Sequence, residues 1–466
     1  MSKSRWSPYR PSPEAPWNLA RAWTLGRRAG FAATWAELRR DLDDGHDAAL
    51  NRVLEGTCRL DGRIADFAAT ADLLGDAAGG TGDTSFSGPG VAHRLQAWWL
   101  YRMLFTPDPL TERLTLLWHN HFATSQLKVE DVAAMKRQND TFRRHARGPF
   151  GDLLRAMLSD PALLAWLDAS SNRKGKPNEN LAREMMELFT LGIGHYTERD
   201  VKEAARALTG RTVQQGRYTF RPDWHDDEAK TILGRTGRLD GDTLADRLLE
   251  HPATAHRLAW RLCQAFLGEN GADESAVAEL AGQLHSDSLH IGRGVETILR
   301  SERFFAARNL HAQVSEPAPF VIGTVRSLER FNPPPSTLLL AEWTGRMGQE
   351  LFYPPNVGGW PGGRNWLAGR TILARANFAA ALVEGRLNAA STANAPDLLG
   401  LAARHGRGTD AATALRFSAE LLLGRPIDAA TCQAILRKSD STADSEPNRF
   451  NRAVALLLSR PEAQLS

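Results

Sequence analysis

Cysteine is scarce in this sequence, which has only three in 466 residues. Cys58, Cys263 and Cys432 are far apart, form no CxxC pair and have no histidine beside them at the spacing of zinc ligands. This odd, scattered set excludes a disulfide framework. We expect Cys263 and Cys432, which lie in helical and apolar surroundings, to be buried thiols. Such usage is typical of a reducing compartment.

Long apolar runs are also missing. No stretch approaches the roughly 20 apolar residues that a membrane span requires. The N-terminal residues 1–23 lack the apolar core of a signal peptide. Arg27-Arg28 resembles a twin-arginine signal only superficially, because the polar segment 34–40 follows where an apolar core should be. We therefore expect no membrane span and a cytoplasmic location.

An excess of charge of either sign is absent as well. Lysine and arginine together number 57 against 54 aspartates and glutamates, and the basic residues are spread along the chain. This balance predicts no electrostatic attraction to nucleic acid or to an anionic membrane. The hydrophobic share of 42% and the charged share of 24% are ordinary for a globular protein with a sizeable core.

Helical periodicity runs through most of the sequence. Apolar residues recur every three or four positions, as at Leu258, Leu262 and Phe266. The pattern predicts a mainly α fold: a large multi-helix bundle with one short β-hairpin near residues 212–233 and a C-terminal helical module. In that hairpin, residues 218–220 are expected to pair with 231–233 across a turn rich in Asp and His.

Two segments rich in small and polar residues indicate loops or joints. One is the Gly-rich segment 75–90, and the other is the segment 388–397. We therefore divide the chain into a main helical domain, residues 1–386, and a C-terminal helical module, residues 398–466.

The segment 177–210 predicts two helices separated by a Gly-rich corner. Asn178 is a suitable N-cap for the first helix, and Thr197 with Asp200 forms a variant of the capping box for the second. One side of the first helix is polar and carries Glu179, Asn180, Arg183, Glu184 and Glu187. This face is either a solvated surface or the wall of a site, because its ion pairs stabilise an exposed helix only slightly.

Two histidines in the sequence WHNHF, residues 118–122, are candidates for metal binding or proton exchange. Residues two apart on a helix point in nearly opposite directions, so His119 and His121 cannot bind the same ion while the helix continues. His121 shares the apolar face of Leu114 and Leu117, which favours a core histidine bonded to a neighbour. His119 is the better candidate for a functional role.

An irregular turn at residues 220–227 contains one imidazole and three carboxylates. His225 and Asp226 are its candidate site residues, since a mixed set of histidine and carboxylate ligands suits zinc, iron or manganese. The fixed spacing of a metal signature is absent from this turn. Aspartates that cap backbone amides are an alternative of at least equal weight.

Paired prolines and paired glycines mark the loop FYPPNVGGWPGGRNW, residues 352–366. Proline fixes backbone angles, and glycine admits positive φ and the close approach of another surface. With Asn356, Trp360, Arg364 and Trp366, the loop has the side chains to floor a binding site for a sugar ring or a peptide. The alternative, slightly favoured, is a plug that closes the end of a helical bundle.

Several of these segments together resemble the bacterial domain-of-unknown-function 1800 family. The resemblance rests on Arg28-Ala29-Gly30-Phe31, WHNHF, the segment from Asn178 to Gly210, the His225-Asp226 turn with Lys230 to Gly234, and the stretch from Met347 through the Pro-Pro-Asn-Val-Gly-Gly-Trp loop to Phe378. It spans nearly the whole chain and implies no particular activity. Relatives are often exported and encoded beside a sulfatase-like family of unknown function, which implies a protein partner or a role in surface-polymer metabolism. Where relatives tend to have Lys-Ser-Pro, this chain has Val314-Ser315-Glu316-Pro317.

Two functions follow as hypotheses. In the first, a polar pocket gathers candidate catalytic residues for general acid–base chemistry or metal-assisted hydrolysis, with a divalent metal as candidate cofactor. These residues are His119, Glu184, Glu187, His225 and Asp226, with Asn180 and Arg183 orienting them. In the second, the protein is a non-catalytic helical scaffold that binds a protein or polysaccharide partner through the Trp-rich loop and the polar helix face. Convergence of the distant acids and imidazoles distinguishes the two.

Overall fold

The fold of the protein is mainly α. The computed structural model describes residues 4–57, 64–79, 89–331, 333–388, 395–440 and 445–466. The structure is 62% helical, with 23 α-helices and two short antiparallel strand pairs in the described ranges. The mainly α fold predicted from the periodicity is confirmed.

Twelve helices precede the strands. They are α1 (Leu19–Arg28), α2 (Trp35–Asp44), α3 (His46–Glu55), α4 (Ile64–Gly79), α5 (Pro89–Phe105), α6 (Pro109–His121), α7 (Gln126–Val129), α8 (Val132–Arg144), α9 (Phe150–Met157), α10 (Pro161–Trp166), α11 (Asn180–Glu184) and α12 (Glu198–Ala207). A π-helix, Met185–Thr190, directly continues α11.

The strands and eleven further helices complete the described chain. The strands are β1 (Arg211–Gln214), β2 (Arg217–Phe220), β3 (Lys230–Ile232) and β4 (Arg235–Gly237). The helices are α13 (Gly241–Glu250), α14 (Pro252–Leu267), α15 (Glu274–Ser286), α16 (Ile291–Leu299), α17 (Pro317–Ser327), α18 (Thr337–Arg346), α19 (Gly369–Val383), α20 (Leu398–Arg404), α21 (Ala411–Leu423), α22 (Ala429–Ser439) and α23 (Glu446–Leu458).

The predicted hairpin is wrong in its pairing, because two separate hairpins replace it. β1 pairs with β2, and β3 pairs with β4, each with its neighbour in sequence. Gln215 and Gly216 connect the first pair with φ of 51° and 68°, and Leu233 and Gly234 connect the second with φ of 48° and 77°. Two successive residues with positive φ match the right-handed twist of the strands they join. The first turn therefore precedes the predicted strand 218–220, and the second begins at Leu233, the last residue of the predicted strand 231–233.

Helix α6 lies between the two apolar clusters of the described core. Leu114 and Trp118 belong to the first cluster, which includes side chains of α9 and α13 to α16. Leu116 belongs to the second cluster, which includes side chains of α5, α17, α19, α21 and α23. Apolar residues on both sides of one helix indicate a central, buried element. The WHNHF segment at the end of α6 is therefore placed where the two clusters meet.

The C-terminal helices share a core with the rest of the chain. Phe417 and Phe450 belong to the same apolar cluster as Trp23 and Phe378. The indole N–H of Trp23 donates a hydrogen bond of 3.0 Å to the carbonyl of Leu421 in α21. The division into residues 1–386 and 398–466 stays a prediction, since part of its joint, residues 389–394, lies outside the described residues.

The Gly-rich segment 75–90 is helical at its beginning, which corrects the prediction of a loop there. Helix α4 continues to Gly79, and residues 80–88 lie outside the described ranges. A Cβ on Gly75 would lie 2.7 Å from Cε of Lys136 and 2.9 Å from Nε1 of Trp98. Glycine at this position therefore permits close packing of α4 against α5 and α8.

The structure also bears on the cysteines and on the lack of long apolar runs. Cys263 and Cys432 are buried free thiols, as predicted, and Cys58 lies outside the described residues. Burial raises the pKa of the Cys263 thiol to about 12, so it stays protonated and unreactive at neutral pH. None of the helices in the described ranges is both long and apolar enough to cross a membrane.

The two helices predicted in the segment 177–210 are present, with one difference. Thr197 and Asp200 form the predicted capping box of α12. The side-chain oxygen of Asn178 accepts a hydrogen bond of 2.9 Å from the N–H of Asn180, at the start of α11. The first helix, however, changes to a π-helix from Met185. One extra residue in a turn shifts the following side chains around the helix, and such insertions are frequent at functional sites.

Asp160 is a buried acid whose ionisation opposes folding. Its carboxylate caps α10 and accepts hydrogen bonds from the N–H of Leu163, at 2.8 Å, and from the amide of Gln138, at 2.7 Å. Burial nevertheless raises the pKa of Asp160 from 3.8 to about 6. The group therefore favours the folded state fully only below pH 3.8, and this contribution is lost as the pH rises through about 6.

Asp160→Asn should become more stable relative to the wild type as the pH rises from 4.5 to 7.5, by ~2 kcal/mol, because asparagine keeps the cap without the charge. Denaturant unfolding of both proteins at the two pH values measures this difference. Asp428→Asn is the matched control. Asp428 is an exposed N-cap, and the hydrogen bond from the Thr431 N–H lowers its pKa. Its contribution to the free energy of unfolding therefore changes only below pH 4.5. A pH-independent difference for Asp160→Asn would contradict the prediction.

Candidate functional site

The WHNHF segment anchors the Trp-rich loop, residues 352–366. Nε2 of His119 accepts a hydrogen bond of 3.1 Å from the backbone N–H of Phe352, although the two residues are 233 positions apart. The side-chain oxygen of Asn120 accepts a hydrogen bond of 2.7 Å from the N–H of Trp360. The N–H of Gln126 donates to the carbonyl of Phe352 at 2.9 Å. The end of α6 and the loop therefore form one unit.

Gly359 is required by this docking. Its φ is +81°, and a Cβ at this position would lie 2.2 Å from Oδ1 and 2.5 Å from the backbone oxygen of Asn120. Only glycine combines a positive φ with so close an approach of a neighbouring backbone. The expectation that the paired glycines admit another surface is therefore met at Gly359, and the surface is the end of α6.

A cavity of about 670 Å³ opens where the loop faces α6 and α14. This volume is in the range of small-molecule sites. Trp360, Arg364 and Trp366 line it, so three of the four loop residues predicted to bind a substrate or partner share one wall. Asn356 does not line the cavity. Its exposed side chain instead accepts a hydrogen bond of 2.9 Å from the N–H of Gly358 within the loop.

The wall of this cavity carries a net positive charge. Its charged side chains are Arg113, Arg261, Arg308, Arg364, Glu269 and Glu316. Arg113 has an ion pair of 3.6 Å with Glu316. Across the described residues, the side chains of Arg261, Arg308 and Arg364 have neither an ion pair nor a hydrogen bond, and the guanidinium of Arg261 lies 5.7 Å from the ring centroid of Trp260. Burial and the nearby charge of Arg257 lower the pKa of Arg261 to about 10, so its guanidinium stays charged at neutral pH.

Aromatic side chains supplement these charges. Trp260 on α14 lines the cavity and is 40% exposed, a large exposed fraction for a tryptophan. Trp360 and Trp366 are buried residues of the loop itself, and the indole N–H of Trp366 has no partner within the described part of the chain. Gln264 adds an amide to the wall. Guanidiniums, indoles and an amide together suit a ligand with an anionic group and a ring.

His119 lies in an aromatic core and not at a solvent-accessible surface. Its side chain is fully buried, and its ring lies 5.1 Å from that of Trp99, 5.2 Å from that of Phe352 and 5.6 Å from that of Trp360, between centroids. Burial lowers the pKa of His119 to about 3, so the imidazole is neutral at physiological pH. This placement favours a positioning role for His119 over the predicted catalytic one.

His121 is a core histidine, as its apolar helix face indicates. Its Nε2 lies 3.0 Å from the carbonyl oxygen of Phe189, to which it donates, and this contact joins α6 to the π-helix. Burial, with the charges of Arg261 and Arg257, lowers the pKa of His121 well below its ordinary value. His119 and His121 contact different residues, in agreement with the expectation that they cannot bind one ion.

Glu184 and Glu187 are neighbours at the junction of α11 and the π-helix. Oε2 of Glu187 accepts a hydrogen bond of 2.6 Å from the hydroxyl of Tyr196. Glu184 is half-buried and has no hydrogen-bond or ion-pair partner in the ranges that the structure describes. Burial and the charge of Glu187 raise the pKa of Glu184 above its ordinary value. The two carboxyl groups therefore differ in their environments.

Asn180 and Arg183 have partners at the surface. Arg183 forms ion pairs with Glu179, at 3.0 Å, and with Glu198 at the start of α12, at 2.8 Å. The amide nitrogen of Asn180 lies 3.3 Å from a carboxylate oxygen of Asp168. This side of α11 therefore matches the alternative of a solvated, ion-paired face more closely than a catalytic wall.

His225 and Asp226 attach their turn to α12. The carboxylate of Asp226 accepts hydrogen bonds from Arg206 at 2.7 and 3.2 Å, and its backbone oxygen accepts one from Lys230. Although burial opposes the shift, the bonds from Arg206 hold the pKa of Asp226 below its ordinary value. Nδ1 of His225 lies 2.9 Å from the carbonyl oxygen of Thr209. These contacts support the alternative in which the turn is structural.

The predicted acids and imidazoles form three separate groups. His119 packs under the Trp-rich loop, Glu184 and Glu187 lie at the π-helix, Asp226 bonds to Arg206 of α12, and His225 bonds to Thr209 just beyond that helix. No hydrogen bond or ion pair among the described residues joins one group to another. Within the same ranges, no group of three or more His, Cys, Asp and Glu side chains is able to hold a metal ion. What the structure does bring together are the loop residues Trp360, Arg364 and Trp366.

The residues that complete this wall were not among the candidates that the sequence indicated. Arg113, Leu117 and Asn120 lie on one face of α6, since they follow one another at intervals of four and three residues. Arg261 lies in the apolar stretch of α14. An arginine within an apolar helical stretch is the signal that could have identified Arg113 and Arg261. No local pattern marks Asn120 as the partner of Trp360.

Gly359→Ala should destabilise the protein more than Gly406→Ala. Both glycines have positive φ, which costs alanine about 1–2 kcal/mol, but only at Gly359 would the new Cβ clash with Asn120; at Gly406, which follows the end of α20, nothing lies within 4 Å. We expect the clash to add at least ~1 kcal/mol. Denaturant unfolding of both variants measures the difference. Equal losses of stability would show that the loop does not need its close approach to α6.

Comparison with known proteins identifies a family. Residues 24–465 match the family model described as protein of unknown function (DUF1800). No curated protein and no solved structure matches the chain. Because the match covers nearly the whole sequence, the resemblance seen in the motifs is confirmed, and the chain belongs to the DUF1800 family of proteins of unknown function.

Proposed function

We propose that this protein binds an acidic saccharide in the cavity beneath the Trp-rich loop. The observation that carries the proposal is the set of guanidiniums on the cavity wall, Arg261, Arg308 and Arg364, that have neither an ion pair nor a hydrogen bond in the described parts of the chain. Arg308 and Arg364 are exposed, whereas Nε of Arg261 is buried, and buried charges normally have counter-charges. An anionic ligand would supply them, and arginine binds carboxylate or sulfate oxygens in a two-pronged geometry.

The remaining wall favours a saccharide over a small inorganic anion. A cavity of about 670 Å³ is much larger than one anion needs. Trp260 presents a partly exposed ring, and aromatic faces pack against the apolar face of a sugar ring. Gln264 has an amide suited to hydroxyl groups. The proposal narrows the second of the two hypotheses, a partner-binding helical protein, to a carbohydrate partner.

Three further expectations are compatible with this proposal and do not support it. One is a sulfatase-like protein partner, which is implied only by the family resemblance. The other two are the cytoplasmic location and the absence of nucleic-acid binding. The arginines of the cavity are local, whereas the chain as a whole is close to neutral, with 57 basic and 54 acidic residues. We therefore expect an anionic ligand to bind at the cavity and not along the surface of the protein.

Arg364→Gln and Arg308→Gln should each weaken the binding of an acidic oligosaccharide about tenfold, because each removes one charge-assisted hydrogen bond. Both side chains are exposed, so the fold should tolerate the changes. Isothermal titration calorimetry with a uronic-acid oligosaccharide and with its neutral counterpart measures the affinity. The acidic ligand should bind more tightly, and its advantage should shrink as the salt concentration rises.

Arg235→Gln is the matched control for these variants. Arg235 is exposed on the β3–β4 hairpin, does not line the cavity, and has no ion pair within the described residues. Its loss removes the same charge elsewhere and should leave the affinity unchanged. Equal affinity for acidic and neutral oligosaccharides, or an equal loss in Arg235→Gln, would contradict the proposal.

A second candidate function is acid–base catalysis by Glu184 and Glu187. It is favoured by a half-buried Glu184 with a raised pKa beside Glu187, which Tyr196 holds by a hydrogen bond. A carboxylic acid and a carboxylate in different environments are the pair that hydrolysis of a glycosidic bond uses. Their position at a π-helix supports the same reading.

Under this second function, Glu184→Gln should reduce the release of reducing ends from an oligosaccharide substrate at least about 100-fold. Because neither glutamate lines the large cavity, the affinity measured there should stay unchanged. A reducing-sugar assay and calorimetry on the same protein separate the two effects. Glu198→Gln, which removes an exposed partner of Arg183, is the control and should keep full turnover. Absence of turnover in the wild type would leave binding as the function of the cavity and end the catalytic one.

A further inference from the structure

Helix α14 presents a stripe of polar and aromatic side chains that continues past the large cavity. Arg257, Trp260, Arg261 and Gln264 follow one another at intervals of three, one and three residues, which places all four on one face of the helix. Trp260, Arg261 and Gln264 line the cavity, whereas Arg257 does not. Because Arg257 lies one turn before Arg261, it extends the stripe beyond the cavity wall, toward the N-terminal end of α14.

The side chain of Arg257 reaches the π-helix. Its Nε donates a hydrogen bond of 2.7 Å to the carbonyl of Leu188. Gly192, just after the π-helix, has a φ of +86°, and a Cβ at this position would lie 3.5 Å from Nη1 of Arg257. The bond to Leu188 therefore fixes the guanidinium where α14 meets the π-helix, and Gly192 leaves the space beside Nη1 free of a side chain.

The two terminal nitrogens of Arg257 have no protein partner among the described residues. Neither Nη1 nor Nη2 forms a hydrogen bond or an ion pair there, and neither is a fully buried atom, so both reach the solvent. Burial lowers the pKa of Arg257, and the nearby charge of Glu187 opposes this shift. Glu187 does not pair with Arg257, because its carboxylate accepts the hydroxyl of Tyr196. The guanidinium thus has free donors and a fixed position.

Two arginines one turn apart suit a ligand with more than one acidic group. The charge of Arg257 lowers the pKa of Arg261, so the two guanidiniums are close enough to repel each other. Trp260, which is 40% exposed, lies between them in sequence and offers a ring to the apolar face of a sugar. A chain with an acidic group on successive sugar residues would offset both charges, whereas a ligand with one acidic group would offset only one.

We propose that Arg257 is a further binding residue for the ligand of the large cavity, and that this ligand is an oligosaccharide with acidic groups on successive sugars. The chain would leave the cavity over Trp260 and run along α14 toward the π-helix. This inference rests on the proposed function, and it adds the class of saccharide and the direction of the bound chain. Such a chain would come close to Glu187, one of the two acids of the second candidate function.

Isothermal titration calorimetry with two oligosaccharides of equal length tests this proposal. One has a uronic acid at every position, and the other has a uronic acid at one end and neutral sugars elsewhere. Arg257→Gln should weaken the binding of the fully acidic oligosaccharide about tenfold, because one charge-assisted contact is lost, and should leave the affinity for the other unchanged. A purely structural role of Arg257 at the π-helix would instead change both affinities alike. Arg235→Gln is again the control and should change neither.

A crystal structure of the wild type with the fully acidic oligosaccharide tests the position even if Arg257→Gln does not fold. We expect an acidic oxygen of the ligand within hydrogen-bond distance of Nη1 or Nη2 of Arg257. A ligand confined to the cavity, or equal effects of Arg257→Gln on the two affinities, would overturn this inference and leave the proposed function intact. If neither oligosaccharide binds the wild type, the proposed function fails, and this inference fails with it.

Discussion

The docking of the Trp-rich loop onto the end of α6 is the constraint on which the candidate site depends. His119 and Asn120 are adjacent in sequence, and each accepts a hydrogen bond from a backbone N–H of the loop, at Phe352 and at Trp360. Backbone N–H groups that are buried away from water need such partners. Because Gly359 lets the loop approach the backbone of Asn120, Trp360 and the residues after it form one side of the cavity. Helix α6 also separates the two apolar clusters, so the loop is mounted on a central element of the core.

The large cavity gathers positive charge without counter-charge on one wall. Some arginines elsewhere have carboxylate partners, as Arg183 and Arg206 do. The arginines of the large cavity, except Arg113, have none in the described chain. Paired charges at a surface contribute little to stability and need no ligand, whereas a largely buried charge without a counter-charge, as at Arg261, favours one. This argument supports an anionic ligand in the large cavity.

Most of the acids and histidines that were candidates from the sequence form ion pairs or hydrogen bonds that stabilise the fold. Asp226 bonds to Arg206, His121 bonds to the carbonyl of Phe189, and Arg183 pairs with two glutamates. Residue types suited to chemistry are also the types that cap turns and satisfy buried backbone, and sequence spacing does not separate these uses. Glu184 is the exception, since it has no partner in the described residues and burial raises its pKa.

The sequence by itself determined the helical fold, the capping box of Thr197 and Asp200, the buried thiols, the opposite directions of His119 and His121, and the family. These features depend on periodicity, on interactions within a few residues or on whole-chain similarity, and such information is present in the order of residues. The hairpin pairing was predicted wrongly, because two-residue turns at Gln215-Gly216 and Leu233-Gly234 compete with any longer connection. Only the tertiary structure decided that Asn120 holds Trp360 and that Arg113, Arg261 and Arg364 share one cavity. Contacts between residues that are more than a hundred positions apart depend on how helices pack, and neither composition nor local spacing specifies that packing.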